Sequence, residues 1–216
     1  MQQPRPSPRT EHAQRLERIR RLGSSKFNYW FGYVANLSLV TWLVSYAWHD
    51  GRLAMSRAKF AALAALGLLS WTLAEYLLHR YVYHAWTSFL TTGHALHHQN
   101  PRALIGVPWY LTTVALVALF FLLRIPIHAP ALGVVMGSSW LGYVFYCICH
   151  HGSHHWDLRH GWLARMKRHH LAHHGHQEFN WGFTTPLWDL VFQTYYDRNQ
   201  GTAGRVRPDQ AQETRP

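Results

Sequence analysis

Histidine is the residue type in this chain that could do chemistry, because 18 of the 216 residues are histidines and most of them fall in four short blocks. The block nearest the carboxyl end, residues 168–176, has the sequence RHHLAHHGH. On a helix with 3.6 residues per turn, His170, His173 and His174 lie within about 100° of arc and share one face. Imidazole is the commonest metal ligand. The spacing therefore predicts a metal site rather than a solvated basic helix.

Three earlier blocks have related spacings. Residues 79–84 form an H-x4-H motif, residues 94–98 an H-x2-HH motif, and residues 150–155 two nested H-x3-H pairs. Histidines on one helical face can present ring nitrogens to a single ion. Ten ligand positions are too many for one ion and suit two, and a set of nitrogens without thiolates fits Fe, Zn, Cu or Ni.

The third block leaves its register open. His150 pairs with His154 and His151 with His155, and the two pairs differ by a rotation of about 100° around the helix. Spacing alone cannot choose between them. Gly152, inside the block, could also end the helix early.

The elements that must position these blocks are four apolar runs, each long enough for a helix to cross a hydrocarbon core about 30 Å thick. They cover residues 27–48, 60–78, 106–123 and 129–149. The sequence therefore predicts an all-α integral membrane protein with four transmembrane helices and a histidine-rich helical cap on the cytoplasmic side. A face with the pattern Gly133-x-x-x-Gly137 could let another helix approach the last span closely.

Charge predicts the orientation of these spans. Of the 21 Lys and Arg residues, all but Arg52, Arg57, Lys59 and Arg124 lie in the two terminal regions or in the loop 80–102. The positive-inside rule places that side in the cytoplasm, and all four histidine blocks lie on it. The net charge of +11 then fits an anionic membrane surface rather than a nucleic acid. The expected location is a membrane, with a bacterial inner membrane favoured over the endoplasmic reticulum.

Three regions are predicted along the chain: a disordered and then basic interfacial segment at 1–26, a membrane-embedded domain at 27–196, and a polar disordered tail at 197–216. Thr185 and Pro186 are expected to begin a short helix that lies on the bilayer, either as a lipid-entry lid or as an aromatic anchor. Cys147 and Cys149 are too close together for an ordinary disulfide and lack zinc-finger spacing.

Several polar side chains are placed to support ligand imidazoles. Glu75, Asp157 and Asp189 could each accept an N–H from such a ring and so fix its tautomer. His160, His169 and His176 lie close enough in sequence to do the same, although solvated histidines are the simpler expectation. His12, His49 and His128 are expected to be bystanders.

The order of the four blocks, together with WTLAEYLLHR at 71–80 and FTTPLWD at 183–189, resembles the fatty acid hydroxylase/sterol desaturase superfamily over residues 71–196. The family pattern places the two histidines of the third block four and eight residues after Tyr146, which implies His150 and His154. It also makes Tyr146 a candidate neighbour of the metals. The implied ligands are His79, His84, His94, His97, His98, His150, His154, His170, His173 and His174.

The resemblance implies a membrane-bound non-haem di-iron oxygenase that uses O2 and two electrons to hydroxylate or desaturate a fatty acyl, sterol or carotenoid chain. Zinc could replace iron in the isolated protein. Because the sequence has no dinucleotide or phosphate-binding glycine motif, the electrons are expected from a separate ferredoxin or cytochrome b5-like donor with its reductase. Cys147 stands where the family commonly has Asp. The interval from His84 to His94 is shorter than in fatty acid 2-hydroxylases, which counts against that substrate.

Two other functions remain open. A membrane metal-binding or transport protein would need ionisable residues near the bilayer midplane. The apolar runs contain only Glu75, near the end of the second, and Arg124 directly follows the third. The other is a catalytically inactive relative that only binds lipid. Two tightly held irons per chain would favour the oxygenase over transport.

Overall fold

The computed structural model describes residues 14, 17, 21, 23, 25–49, 56–86, 88–126, 131–197 and 201–202. The chain divides into two compact units, Met1–Cys147 and Ile148–Pro216. The segment predicted to be interfacial at the N-terminus and the polar tail lie mostly outside the described residues. So do His12 and His128 and the side chain of His49.

Helices build the first unit. In chain order they are α1 (Lys26–His49), α2 (Arg57–Leu77), a π-helical segment (Leu78–Tyr83), α3 (Phe89–Gln99) and α4 (Trp109–Arg124), followed by α5 (Ala131–His155), which continues into the second unit. Two starts are capped by serine hydroxyls. Ser56 accepts a hydrogen bond from the Lys59 amide, and Ser88 accepts one from the Thr91 amide, each at 3.2 Å.

Two helices among the described residues are long and apolar enough to cross a membrane: the continuous helix Arg57–Tyr83 and α5. The prediction of four spans is therefore supported only for the second and fourth. Helix α4 is apolar but has only 16 residues. Helix α1 has 24 residues, but asparagines, tyrosines and tryptophans dilute its apolar character.

Packing in the first unit brings α1, α4 and α5 together. Its core cluster contains Leu39, Leu43, Leu116, Phe120 and Met136. A Cβ atom on Gly133 would lie 2.9 Å from the Ala47 Cβ, and one on Gly137 would lie 2.9 Å from a Val44 methyl group. The small-residue face is thus filled by α1 of the same chain.

The second unit contains the end of α5, then α6 (Gly161–Gly175) and the short α7 (Leu187–Val191). The helix predicted after Thr185 and Pro186 is present, but its N-cap residue is Pro186 rather than Thr185. Thr185 accepts a hydrogen bond from the Leu187 amide at 3.2 Å. The all-α fold class is confirmed, and the one addition among the described residues is a two-residue antiparallel pairing of β1 (Tyr196–Asp197) with β2 (Gly201–Thr202). Tyr196 is the last residue of the predicted membrane-embedded domain, and the other three strand residues lie in the segment predicted to be disordered.

Candidate metal centre

The first histidine group, His79, His84, His94 and His98, lies in the first unit. His79 belongs to the π-helical segment, and His84 is its C-cap residue. On an α-helix, residues five apart point about 140° away from each other. A π-helix bonds residue i to i+5 and so brings such residues to one face. The π-helical segment therefore lets the H-x4-H motif present both rings together.

Ring nitrogens converge in this group. The Nε2 atom of His94 lies 3.0 Å from Nε2 of His79 and 3.0 Å from Nε2 of His98. The ligand atoms of all four residues lie within 4.8 Å of one another. Tyr83 stacks on the His94 ring with a centroid distance of 5.2 Å, which holds that imidazole from one side.

A bound cation fits this arrangement better than hydrogen bonds between rings do. Each Nε2 atom carries either one hydrogen or one lone pair, so His94 Nε2 cannot make good hydrogen bonds to both neighbours at once. Two nitrogens that each lie about 2.1 Å from an ion, at right angles, are about 3.0 Å apart. The observed separations match that value, and imidazole nitrogen suits iron and zinc alike.

The second histidine group, His150, His154, His170 and His174, lies in the second unit and repeats this geometry. Nε2 of His170 lies 2.9 Å from Nε2 of His154 and 3.1 Å from Nε2 of His174. The ligand atoms of His150, His154 and His170 lie within 4.8 Å of one another. Phe183, which is almost fully buried, meets the His150 and His170 rings edge to face.

His97 and His173 occupy equivalent places in the two H-x2-HH motifs. Both are buried, His97 on α3 and His173 on α6. Nδ1 of His173 lies 2.7 Å from the Phe179 carbonyl oxygen. Because a carbonyl can only accept, Nδ1 carries the hydrogen and Nε2 presents its lone pair. This is the tautomer that a metal ligand requires.

In the third block the two nested pairs have different neighbours, and the register of the ligands stays a prediction. His150 and His154 lie with His170, whereas His151 and His155 stack on each other at 4.3 Å. Helix α5 also continues regularly through Gly152. A Cβ atom there would collide with the Trp156 ring, so glycine is needed for that ring to pack on the helix.

Burial favours the neutral form of His94 and of His174. Desolvation lowers the pKa of His94 well below its ordinary value, and the neighbouring His79, His98, His84 and His97 lower it further. Desolvation also lowers the pKa of His174. Neutral imidazoles can donate lone pairs to a metal without first losing a proton.

Two of the predicted supporting residues lie in the first unit. Glu75 is buried on α2, one helical turn before His79. The ring of Tyr146 packs against Trp71, with a centroid distance of 5.8 Å. The support predicted for a ligand imidazole from Glu75 stays a prediction.

The other two predicted supporting carboxylates have different partners from those expected. Asp157 is exposed and forms an ion pair with Arg159 at 2.6 Å, so its carboxylate neutralises a guanidinium. Asp189 is fully buried and contacts His169, which is not among the predicted ligands, at 3.2 Å. His160 and His176 are both exposed.

Asp189 organises the loop that follows α6. Its carboxylate accepts hydrogen bonds from the Trp181 amide at 2.8 Å, the Gly182 amide at 2.9 Å and the Thr194 hydroxyl at 2.8 Å. The loop in turn places Phe183 beside the second histidine group, 5.0 Å from the His170 ring, and Trp181 5.1 Å from the His173 ring. Asp189 thus supports the group through the loop, one residue removed from the ligands.

Sequence analysis missed two further contributors. Asn180 adopts a positive φ of 58°, and its side chain bonds the His169 carbonyl and both polar backbone atoms of Tyr196. Phe179 supplies the carbonyl that orients His173. Asparagine is the residue other than glycine that most readily adopts this conformation, so Asn180 gave a weak signal. A backbone carbonyl gives none.

Comparison with known proteins adds an independent line of support. The chain matches the family model described as fatty acid hydroxylase over residues 64–194. It is 36% identical to a dihydroceramide fatty acyl 2-hydroxylase of Arabidopsis thaliana, with 63% of this chain and 61% of that protein covered. A second plant enzyme of the same description is 32% identical, with 77% and 73% covered.

A solved structure shares the fold. Full-length scs7p, of which only the hydroxylase domain is visible, matches with a TM-score of 0.69 at 26% identity, covering 87% of this chain and 72% of that one. The alignments with the two plant relatives span 61% and 73% of those proteins' lengths.

Proposed function

Because the chain belongs to the fatty acid hydroxylase family, we propose that it is a membrane-bound oxygenase that hydroxylates an unactivated C–H bond in the fatty acyl chain of a lipid. The observation that carries this proposal is the convergence of Nε2 atoms at about 3 Å in both histidine groups. Such nitrogen-only sets suit an oxidation-active metal as well as zinc.

Two irons are the proposed cofactor, held by the first and second histidine groups together with His97 and His173. When bound and reduced, the irons supply the activation of O2 and the oxidising power for C–H cleavage. The overall reaction consumes the lipid, O2, two electrons and two protons, and yields the hydroxylated lipid and water. Zinc would occupy the same nitrogens in protein isolated without iron.

The chain's own contribution is binding, orientation and exclusion of water. Desolvation keeps His94 and His174 in the neutral form that binds metal. The Phe179 carbonyl fixes the tautomer of His173. Aromatic rings, Tyr83 in the first unit and Phe183 in the second, cover ligand imidazoles and keep bulk water from them.

The proposed position of attack is carbon 2 of the acyl chain. Support comes from the plant relatives, whose descriptions name 2-hydroxylation of the fatty acyl group of dihydroceramide. The interval from His84 to His94 was expected to count against a fatty acid 2-hydroxylase. The similarity to these relatives outweighs it, and an acyl chain is favoured over a sterol or carotenoid.

The proposal includes a separate electron donor, a ferredoxin or cytochrome b5-like protein with its reductase. It also places the protein in a bilayer with both termini and the metal site on the cytoplasmic side, in a bacterial inner membrane by preference. The excess of Lys and Arg in the terminal regions and the loop 80–102 supports that orientation. Reporter fusions at Gly51 and His128 should report the outside, and fusions after Asp197 the cytoplasm. If Gly51 and Asp197 report the same side, the four-span topology is wrong.

Product analysis tests the function. The chain would be expressed with a reductase and donor in a host of defined lipid content, and its lipids compared by mass spectrometry with those from a His94→Ala strain. We expect acyl chains heavier by one oxygen, with fragments that place the hydroxyl on carbon 2, only in the first strain. His160→Ala, which changes an exposed histidine, is the matched control. Acyl chains lighter by two hydrogens would instead show that the protein is a desaturase.

A further inference from the structure

The outer pair, His151 and His155, takes no part in the two histidine groups and stands apart from them on α5. Its two rings lie nearly parallel, 14° apart in plane and 4.3 Å apart in centroid. Since the outer pair is rotated by about 100° from His150 and His154, it opens to a different side of the same helix. His155 is exposed and His151 is half-buried, so an ion can reach them from solution.

We propose that the outer pair is a separate binding site for a divalent transition-metal ion such as Zn²⁺, Ni²⁺ or Cu²⁺. Histidines at i and i+4 on one helical face are a known arrangement for holding zinc. Rotation of the two side chains out of their stacked arrangement would let each ring present one nitrogen to a shared ion about 2.1 Å away. Imidazole nitrogen prefers these ions over Mg²⁺ or Ca²⁺.

The backbone holds the pair in place for binding. Helix α5 stays regular to His155, and the Trp156 amide donates to the Gly152 carbonyl at 2.9 Å. The Trp156 ring lies edge to face against His151, with 5.9 Å between the ring centroids. Because both histidines are fixed on one regular helix, only side-chain rotation is needed to bind an ion, which limits the loss of conformational entropy.

Binding at the outer pair is expected to be weaker and more exchangeable than in the histidine groups. Two protein ligands leave the remaining coordination positions to water, as in an open site. The ammonium group of Lys167 donates to the Trp156 carbonyl at 2.8 Å and places a positive charge one residue beyond the pair. That charge opposes a bound cation, so Lys167→Gln should tighten binding.

Copper is the probe that tests this site. The full chain, purified in lipid nanodiscs and loaded with iron, would be titrated with Cu²⁺, and pulsed electron paramagnetic resonance would count the imidazoles on each copper. We expect one added Cu²⁺ per chain with two imidazoles. His151→Ala or His155→Ala should reduce the count to one and weaken binding, and the double variant should lose this copper. His160→Ala is the matched control.

Two results would overturn the inference. One is equal copper binding in the starting protein and in the double variant. The other is loss of iron and product in the double variant while His150→Ala and His154→Ala keep both, which would make the outer pair part of the iron site. Failure of the proposed function looks different, because a chain that binds no iron still shows the copper difference between these two proteins.

Discussion

The two histidine groups reach nearly the same ligand geometry from different backbones. The distances from the central Nε2 atom are 3.0 Å and 3.0 Å around His94 and 2.9 Å and 3.1 Å around His170. In both, an H-x2-HH motif on a regular α-helix supplies the central ring. The partner pair comes from a π-helical segment in the first group and from α5, an ordinary α-helix, in the second.

Their supports also differ. The first group lies on the π-helical segment that directly follows α2 and on α3, whose start is capped by Ser88. The second group depends on a loop that a single buried carboxylate, Asp189, holds through three hydrogen bonds. We infer that the positions of the ligand nitrogens are what the fold must preserve, and that different local structures can provide them. The two groups should then bind a metal ion equally well, but different substitutions should disrupt each of them.

Removing a central ring is the strongest test of this equality. In His94→Ala and in His170→Ala, the Nε2 atom shared by two neighbours is lost, and we expect product formation to be abolished in both. If each group holds one ion, each variant should retain about one iron per chain instead of about two. Elemental analysis of the purified proteins measures this. Loss of both ions from either variant would show that the groups bind cooperatively and are not two equal sites.

Glu75→Gln should have the next largest effect and should act on the first group. The change keeps an acceptor one turn before His79 but removes the charge, and changes of this kind typically reduce metal affinity or activity by about 10- to 100-fold. Iron retention during dialysis against a chelator would show the loss. The exposed Glu178→Gln is the control. Unchanged iron content and activity would remove Glu75 from the site.

Asp189→Asn should act on the second group and on stability. The amide leaves one of the two backbone donors or His169 facing an NH2 group, and disrupting a buried charged network costs about 3–5 kcal/mol. We expect a lower unfolding midpoint and partial loss of the second iron, with the first retained. If instead both groups lose iron equally, the loop does not support the second group alone.

Lowering the pH should produce the smallest difference between the two groups. Burial lowers the pKa of His94 further than that of His174, so the folded protein holds fewer protons than the unfolded one. This contribution to stability is complete above the unfolded pKa of about 6.5 and is lost as the pH falls below it. Unfolding of the metal-free protein should therefore become easier from about pH 7 to about pH 5. The pH dependence should weaken more in His94→Ala than in His174→Ala, and equal slopes would contradict the difference in burial.

Much of the site was predictable because its chemistry is local in sequence. The H-x2-HH motifs lie on helices, as helical periodicity predicts, and the family that the motifs indicated is confirmed. The π-helical segment was not predictable, because a five-residue spacing on an α-helix separates His79 from His84. Only contacts between elements select the rarer helix.

Other features depended on partners distant in sequence. Nothing near Asp189 in the chain indicates that it would bind the amides of Trp181 and Gly182 rather than a ligand imidazole. The pairing of Gly133 and Gly137 with α1 required knowing which helix would be the neighbour. The lengths of the apolar runs predicted four spans, although only two helices among the described residues are long and apolar enough to cross a membrane.

The π-helical segment also changes the angular position, around the helix axis, of the residues that follow it. Buried positions recur every fourth residue at Gly67, Trp71 and Glu75 of α2 and at His79 of the π-helical segment, and the next ligand, His84, follows after five. One extra residue in a helix rotates everything after it by about 100°. The π-helical segment offsets this rotation, so that His84 can lie on the same face as the buried residues before it. Deleting one residue between His79 and His84 would reverse that rotation. The ligands that follow would then no longer be aligned with the buried face of α2.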